Sequence, residues 1–212
     1  MRTYLFIFYF FTFMMTSCQS NSQATYTIET NLGNIQIKLY DKTPLHKANF
    51  EKLVEAQLYD GVMFHRIIQG FMIQTGDPKT RPNINRTPTI DLNYTLAAEF
   101  VPEYFHKKGA LAAARTDNPE KRSSSSQFYI VQGRIFDDEE LNQIESQNNL
   151  KFTDIQRAIY KTIGGTPFLD QNYTVFGEVV KGMDVVDEIA SVPTGQGNFP
   201  EKEIRVLRIV KD

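Results

Sequence analysis

Residues 64–77 read FHRIIQGFMIQTGD, with Arg66 and Gln74 set among large apolar side chains on what should be core strands. Burying a guanidinium without a partner or a purpose is costly. Arg66 therefore stands either at a sheet edge, paired to a carboxylate, or in a site that uses its charge. Other constellations are missing. The three histidines, at 46, 65 and 106, share no metal-ligand spacing, and the single cysteine, Cys18, cannot complete a zinc set or a disulfide within the chain. There is no G-x-S-x-G elbow and no P-loop. No metal and no cofactor are expected. His65, inside a strand-like run, reads as a half-buried structural histidine.

The elements that must position Arg66 follow from patterning. The chain has 212 residues, 41% hydrophobic and 23% charged, which suits one globular domain rather than a disordered acidic one. Lys plus Arg number 23 against 25 Asp plus Glu, so no basic excess exists to neutralise a nucleic acid. Tyr26, Ile28 and Thr30, then Ile35, Ile37 and Leu39, alternate around a turn at 31–34 and predict a β-hairpin. Thr43 as cap and Pro44 at the first helical position open a helix that Gly61 should end. Residues 62–75, 109–114, 127–132, 174–180 and 203–210 read as strands, and 183–190 as a short helix. A long loop is expected over 78–93, and another over 115–126. Many short strands without a βαβ rhythm suggest a barrel or sandwich.

Residues 137–164 differ in character and predict two helices. Asp137–Glu140 place acids at a helix start, and Thr153-Asp154-Ile155-Gln156 matches a capping box. Leu141 and Ile144, then Ile155, Ile159 and Ile163, are expected to pack this hairpin on the main domain. In that reading a short loop could replace the hairpin without loss of peptide turnover.

The N-terminus is separate. Residues 4–15, YLFIFYFFTFMM, follow Arg2 and precede Thr16-Ser17-Cys18. Twelve residues rise only about 18 Å as a helix, short of the roughly 30 Å hydrocarbon core. The pattern describes a secretory signal and resembles a bacterial lipobox, although Met15 stands where Leu is usual. The expected organisation is a signal peptide over 1–17, lipidation at Cys18, a polar tether over 18–25 and the folded domain over 26–212. A lipid-anchored protein of the cell envelope, facing the periplasm, is the expected setting.

Taken in order, the motifs resemble the cyclophilin-type peptidyl-prolyl cis–trans isomerases. FHRIIQGFMIQTGD is similar to that family's central motif, and GALAAAR at 109–115, SSQFYI at 125–130 and FLDQNYTVFG at 168–177 are similar to its later segments. The resemblance implies a mainly β fold: a closed eight-stranded antiparallel barrel capped by two helices, here with the helical insertion. It implies rotation of X–Pro bonds in exported proteins, which assists their folding. It places the catalytic arginine at Arg66 and the proline pocket at Phe71, Met72, Tyr129 and Leu169. Gln74 falls beside the arginine, and Ala114 and Gln127 fall on the groove wall. Tyr129, Arg115, Phe168 and Tyr173 stand where well-known members carry Phe, Asn, Trp and His. The implied partners are proline-containing polypeptides. Weak cyclosporin binding is expected, because Phe168 lacks an indole donor. The alternative is a proline-peptide binding or assembly module on the same barrel with little turnover. A monomer is expected.

Overall fold

Alternation over residues 25–39 produces the first hairpin, β1 (Thr25–Thr30) and β2 (Gly33–Leu39), whose register runs from Thr25↔Lys38 to Thr30↔Gly33. The computed structural model describes residues 24–82 and 90–212. The signal segment, Cys18, the start of the tether and residues 83–89 of the proline-rich loop lie outside the described residues.

The remaining strands are β3 (Arg66–Ile68), β4 (Met72–Thr75), β5 (Thr95–Leu96), β6 (Ala110–Ala113), β7 (Ser123–Ser124), β8 (Phe128–Val131), β9 (Val175–Lys181) and β10 (Val206–Lys211). Eight of them form one antiparallel sheet in the order β10-β1-β2-β9-β6-β8-β4-β3. The sheet is curled and open, and β3 and β10 share no ladder. Only the segments leading into these edge strands meet, at an antiparallel bridge between Met63 and Arg205. There Phe64 N–H donates to Ile204 O at 2.9 Å, and Val206 N–H donates to Val62 O at 2.8 Å. β5, just beyond the first expected loop, and β7, inside the second, pair separately; two-residue strands carry too little alternation to read from sequence.

The core lies on one face of the sheet. Ile28, Ile37, Ile67, Ile73, Leu111 and Ile130 are buried there. Helix α1 (Pro44–Glu55) adds Phe50 and Leu53, and helix α4 (Met183–Ala190) adds Val186 and Ile189. β4, β6 and β8 read as nearly continuous apolar runs because their other face is covered too. Met72, Ala110, Ala112, Tyr129 and Val131 form a second buried cluster there.

Helix α1 departs from expectation at both ends. The Thr43 hydroxyl turns back to Tyr40 O and caps nothing; instead the Glu99 carboxylate accepts from Leu45 and His46 N–H, both at 3.0 Å. An anion at a helix N-terminus also meets the positive end of the macrodipole. The helix stops at Glu55 rather than near Gly61. Gln57 takes a left-handed φ of 56°, Gln57 N–H bonds Val54 O, and Leu58 N–H bonds Leu53 O. That is a Schellman close, sealed by buried Leu53 and Leu58.

The insertion forms helices α2 (Asp138–Asn148) and α3 (Asp154–Thr162), each opened by a capping box, at Asp137/Glu140 and Thr153/Gln156. Its buried cluster is Phe136, Leu141, Phe152 and Tyr160. The isoleucine stripe is not the packed face: Ile155 is 72% and Ile163 54% exposed. Tyr160 decides the rotation. Its ring packs edge-on against Phe105 and Phe152, and Arg157 on the same side is held by Asp138, Asn142 and Glu145. One buried aromatic with a polar anchor outweighs two branched aliphatics.

Candidate functional site

The sheet face opposite the main core carries a cavity of about 310 Å³. Arg66 enters from the first position of β3. Phe71, Met72 and Gln74 come from the turn and strand that follow, with Gly70 at φ 73° making the turn. Ala114 and Arg115 follow β6; Gln127 and Tyr129 lie at β8. Leu169 and Tyr173 complete the wall ahead of β9. The four sequence motifs thus converge on one cavity. Phe168 does not line it. Its ring is 37% exposed and lies 5.7 Å from that of Phe71, on the rim.

Arg66 is half-buried, and among the described residues its side chain has no carboxylate partner and makes no hydrogen bond. Its Cζ sits 5.8 Å from the Phe71 ring centroid. The alternative of a sheet-edge ion pair therefore does not apply, although β3 is indeed an edge strand. Gln74 faces Arg66 across the β3–β4 register, yet its amide donates to Gln127 Oε1 at 3.0 Å rather than holding the guanidinium. Arg115 differs from Arg66. Its Nε donates to Asn172 O at 2.9 Å, its guanidinium covers the Tyr173 ring at 4.8 Å, and it pairs with exposed Asp117 at 3.3 Å. Of the two cavity arginines, only Arg66 has its donors free.

The apolar wall is well fixed. Met72 and Tyr129 are 1% and 4% exposed, and the Tyr129 and Tyr173 rings meet edge-on at 5.9 Å. Burial pushes the Tyr129 phenol well above its usual value, with Tyr173 and Asp170 adding to the shift. His65 is half-buried beside the cavity, its Nε2 3.4 Å from Gln74 Nε2, and burial lowers its pKa. Thr116 and Ser124 also line the cavity, and the sequence reading missed both. Ser124 is brought in by the β5–β7 pairing, for which the Ser123–Ser126 run gives no signal. The arrangement offers a fixed cation, free donors and an apolar recess.

The family model for cyclophilin type peptidyl-prolyl cis-trans isomerases matches residues 25–211. A relative from Acinetobacter baylyi named peptidyl-prolyl cis-trans isomerase is 33% identical over 201 residues, covering 92% of this chain and 89% of that one. The crystal structure of a Cryptosporidium parvum cyclophilin type peptidyl-prolyl cis-trans isomerase superposes with a TM-score of 0.66 at 22% identity, covering 90% of this chain and 98% of that one. The same parasite protein solved in the presence of the dipeptide Ala-Pro gives 0.64 at 23% identity, covering 88% of this chain and 97% of that one.

Proposed function

Because the chain belongs to the cyclophilin-type peptidyl-prolyl cis–trans isomerase family, we propose that the cavity at Arg66 is where it rotates X–Pro bonds, and that it serves exported proteins. The chain is an isomerase. The reaction breaks no bond between heavy atoms. It must only cross a barrier of about 18–20 kcal/mol set by amide resonance. In the planar amide the prolyl nitrogen has no lone pair to offer, whereas in the twisted transition state it does. A donor aimed at that nitrogen binds the transition state better than the ground state, which is the condition for catalysis. The observation that carries this reading is the Arg66 guanidinium, unpaired beside an apolar recess. Phe71, Met72, Tyr129 and Leu169 supply a recess for the pyrrolidine ring, and Met72 can adapt its shape to it. The main chain and side chains at Ala114, Arg115 and Gln127 form the wall along which a peptide would lie, with Tyr173 at its end.

Arg66→Ala should cost about 10²–10³ in turnover of a proline peptide, the usual loss for one preorganised donor. A folded variant that turns over near the wild-type rate would end the assignment. Peptide binding without acceleration by the wild type would favour a binding module instead. The parasite structure with Ala-Pro supports proline-containing polypeptides as partners. Cyclosporin should bind weakly. Phe168→Trp, which adds an indole donor on the rim, should tighten it, and titration calorimetry on both proteins decides the point.

The setting we propose is the cell envelope, with Cys18 lipidated and the monomeric domain facing the periplasm. The apolar run at 4–15 and the small residues before Cys18 support it. Membrane recovery lost in Cys18→Ser is the expected result. We further propose that the sheet closes as a barrel at the Met63–Arg205 seam, supported by the two hydrogen bonds that flank it.

A further inference from the structure

Tyr129, which lines the cavity, belongs to a buried chain of hydrogen bonds that ends in the inserted hairpin. Asp170 Oδ1 accepts from the His106 backbone N–H at 2.9 Å and lies 2.7 Å from ring Nδ1. A carboxylate can only accept, so Nδ1 donates to it. The Tyr129 hydroxyl lies 3.0 Å from Nε2, at hydrogen-bond distance. On the other side the Tyr160 hydroxyl donates to Asp170 Oδ2 at 2.6 Å. All four side chains are buried: Tyr160 0%, His106 1%, Tyr129 4% and Asp170 5% exposed. The Tyr129 ring also stacks on the His106 ring, 6.1 Å between centroids and 15° between planes. Asp170 directly follows Leu169, which also lines the cavity.

We propose that Tyr160 of α3 is a positioning residue for isomerisation, holding the Tyr129 wall of the proline pocket in place through Asp170 and His106. The proposal rests on the reading of this cavity as the isomerase site. A phenylalanine at 129 or 160 would fill nearly the same space, so the hydroxyls contribute connection rather than volume. Removing the Tyr160 hydroxyl leaves Oδ2 of a buried carboxylate without a donor, a state that buried charges avoid by moving. Asp170 would then release His106, and the Tyr129 hydroxyl would lose the partner that fixes it. The backbone gives the hairpin no slack to compensate. Gly165, three residues beyond α3, packs so closely that a Cβ there would lie 2.2 Å from His106 O and 2.7 Å from Tyr160 Cε1. The hairpin is thus part of the pocket's support, and a short loop in place of residues 137–164 would remove that support along with Tyr160.

The test is a double-mutant cycle on the full chain, with a proline peptide as substrate. Tyr160→Phe keeps the ring packing and should lower kcat/KM about five-fold, within the coupling range of residues in one network. Tyr129→Phe should lower it similarly, and the double variant should be no worse than Tyr129→Phe alone. A purely structural Tyr160 would instead give unchanged turnover in the single variant, or losses that multiply; either result overturns the proposal. Should Tyr160→Phe fail to fold, Asp170→Asn breaks one of the two links and should show the same loss, and full activity there overturns the proposal as well. Arg66→Ala, run in parallel, separates the two readings. If it keeps full turnover, the cavity is not the site and both fall. If it loses turnover while Tyr160→Phe does not, only the positioning role falls.

Discussion

Arginine presents five N–H donors in a rigid planar fork, whereas lysine presents one rotating ammonium on a flexible stem. At Arg66 the fork has no partner among the described residues and lies 5.8 Å from the Phe71 ring centroid, so in the proposed reaction its geometry, and not its charge alone, would meet the twisting amide. Arg66→Lys should therefore lose about ten-fold or more in kcat with a smaller change in KM. Equal turnover by the lysine variant would show that a point charge suffices. The residues around Arg66 differ in how legible they were. Arg66, Phe71, Met72 and Gln74 sit within one hairpin, so a single motif delivered them together. Thr116 and Ser124 depend on how distant loops fold back, and no local pattern marks them. Gln74 falls beside Arg66 as read, but its bond to Gln127 was not legible, because strand register fixes which backbones face each other while the side-chain amide is free to turn.

Helix α1 shows how an element borrows what its own residues lack. Glu99 caps it from outside, and its Oε2 also accepts from His46 Nδ1 at 2.7 Å, while His46 Nε2 lies 2.9 Å from Ser123 Oγ. Burial pushes the His46 imidazole below its ordinary value, although Glu99 pulls the other way. A histidine kept neutral in the fold takes up its proton more readily when unfolded, below about pH 6.5. Its contribution to stability is therefore full above that pH and is lost as the pH falls through it. The urea midpoint should drop between pH 7 and pH 5.5, and His46→Gln, which cannot titrate, should show a shallower drop from a lower starting point. Parallel slopes for the two proteins would exclude His46 as the cause. Most elements were readable from periodicity because their faces are consistently apolar or polar. α3 was readable as a helix, but its packed face was not, because its isoleucines and its tyrosine sit on different faces. Distant partners of Tyr160, the Phe105 and Phe152 rings and the buried carboxylate of Asp170 eight residues beyond the helix, decide which face turns in.

Across the whole molecule the open side of the sheet is spanned only at the Met63–Arg205 bridge among the described residues. Arg205 works as a staple there: Nη1 donates to Gly61 O at 2.7 Å and to Thr80 O at 2.9 Å, and the guanidinium pairs with Glu203 at 2.8 Å. Arg205→Ala should cost about 1.5–3 kcal/mol, the range for hydrogen bonds made by charged groups. Hydrogen exchange should quicken first at the amides of Phe64 and Val206, well before that of Ile37 in the centre of β2. Uniform acceleration would mean that the seam does not open separately. The opposite side of β10 carries a different consequence. β10 pairs along its length with β1, from Tyr26↔Lys211 to Thr30↔Val206, and Asp212 N–H bonds Thr25 O at 3.0 Å. β1 thus waits for a strand made some 180 residues later, and until β10 has been synthesised one side of β1 is a bare edge open to any passing strand.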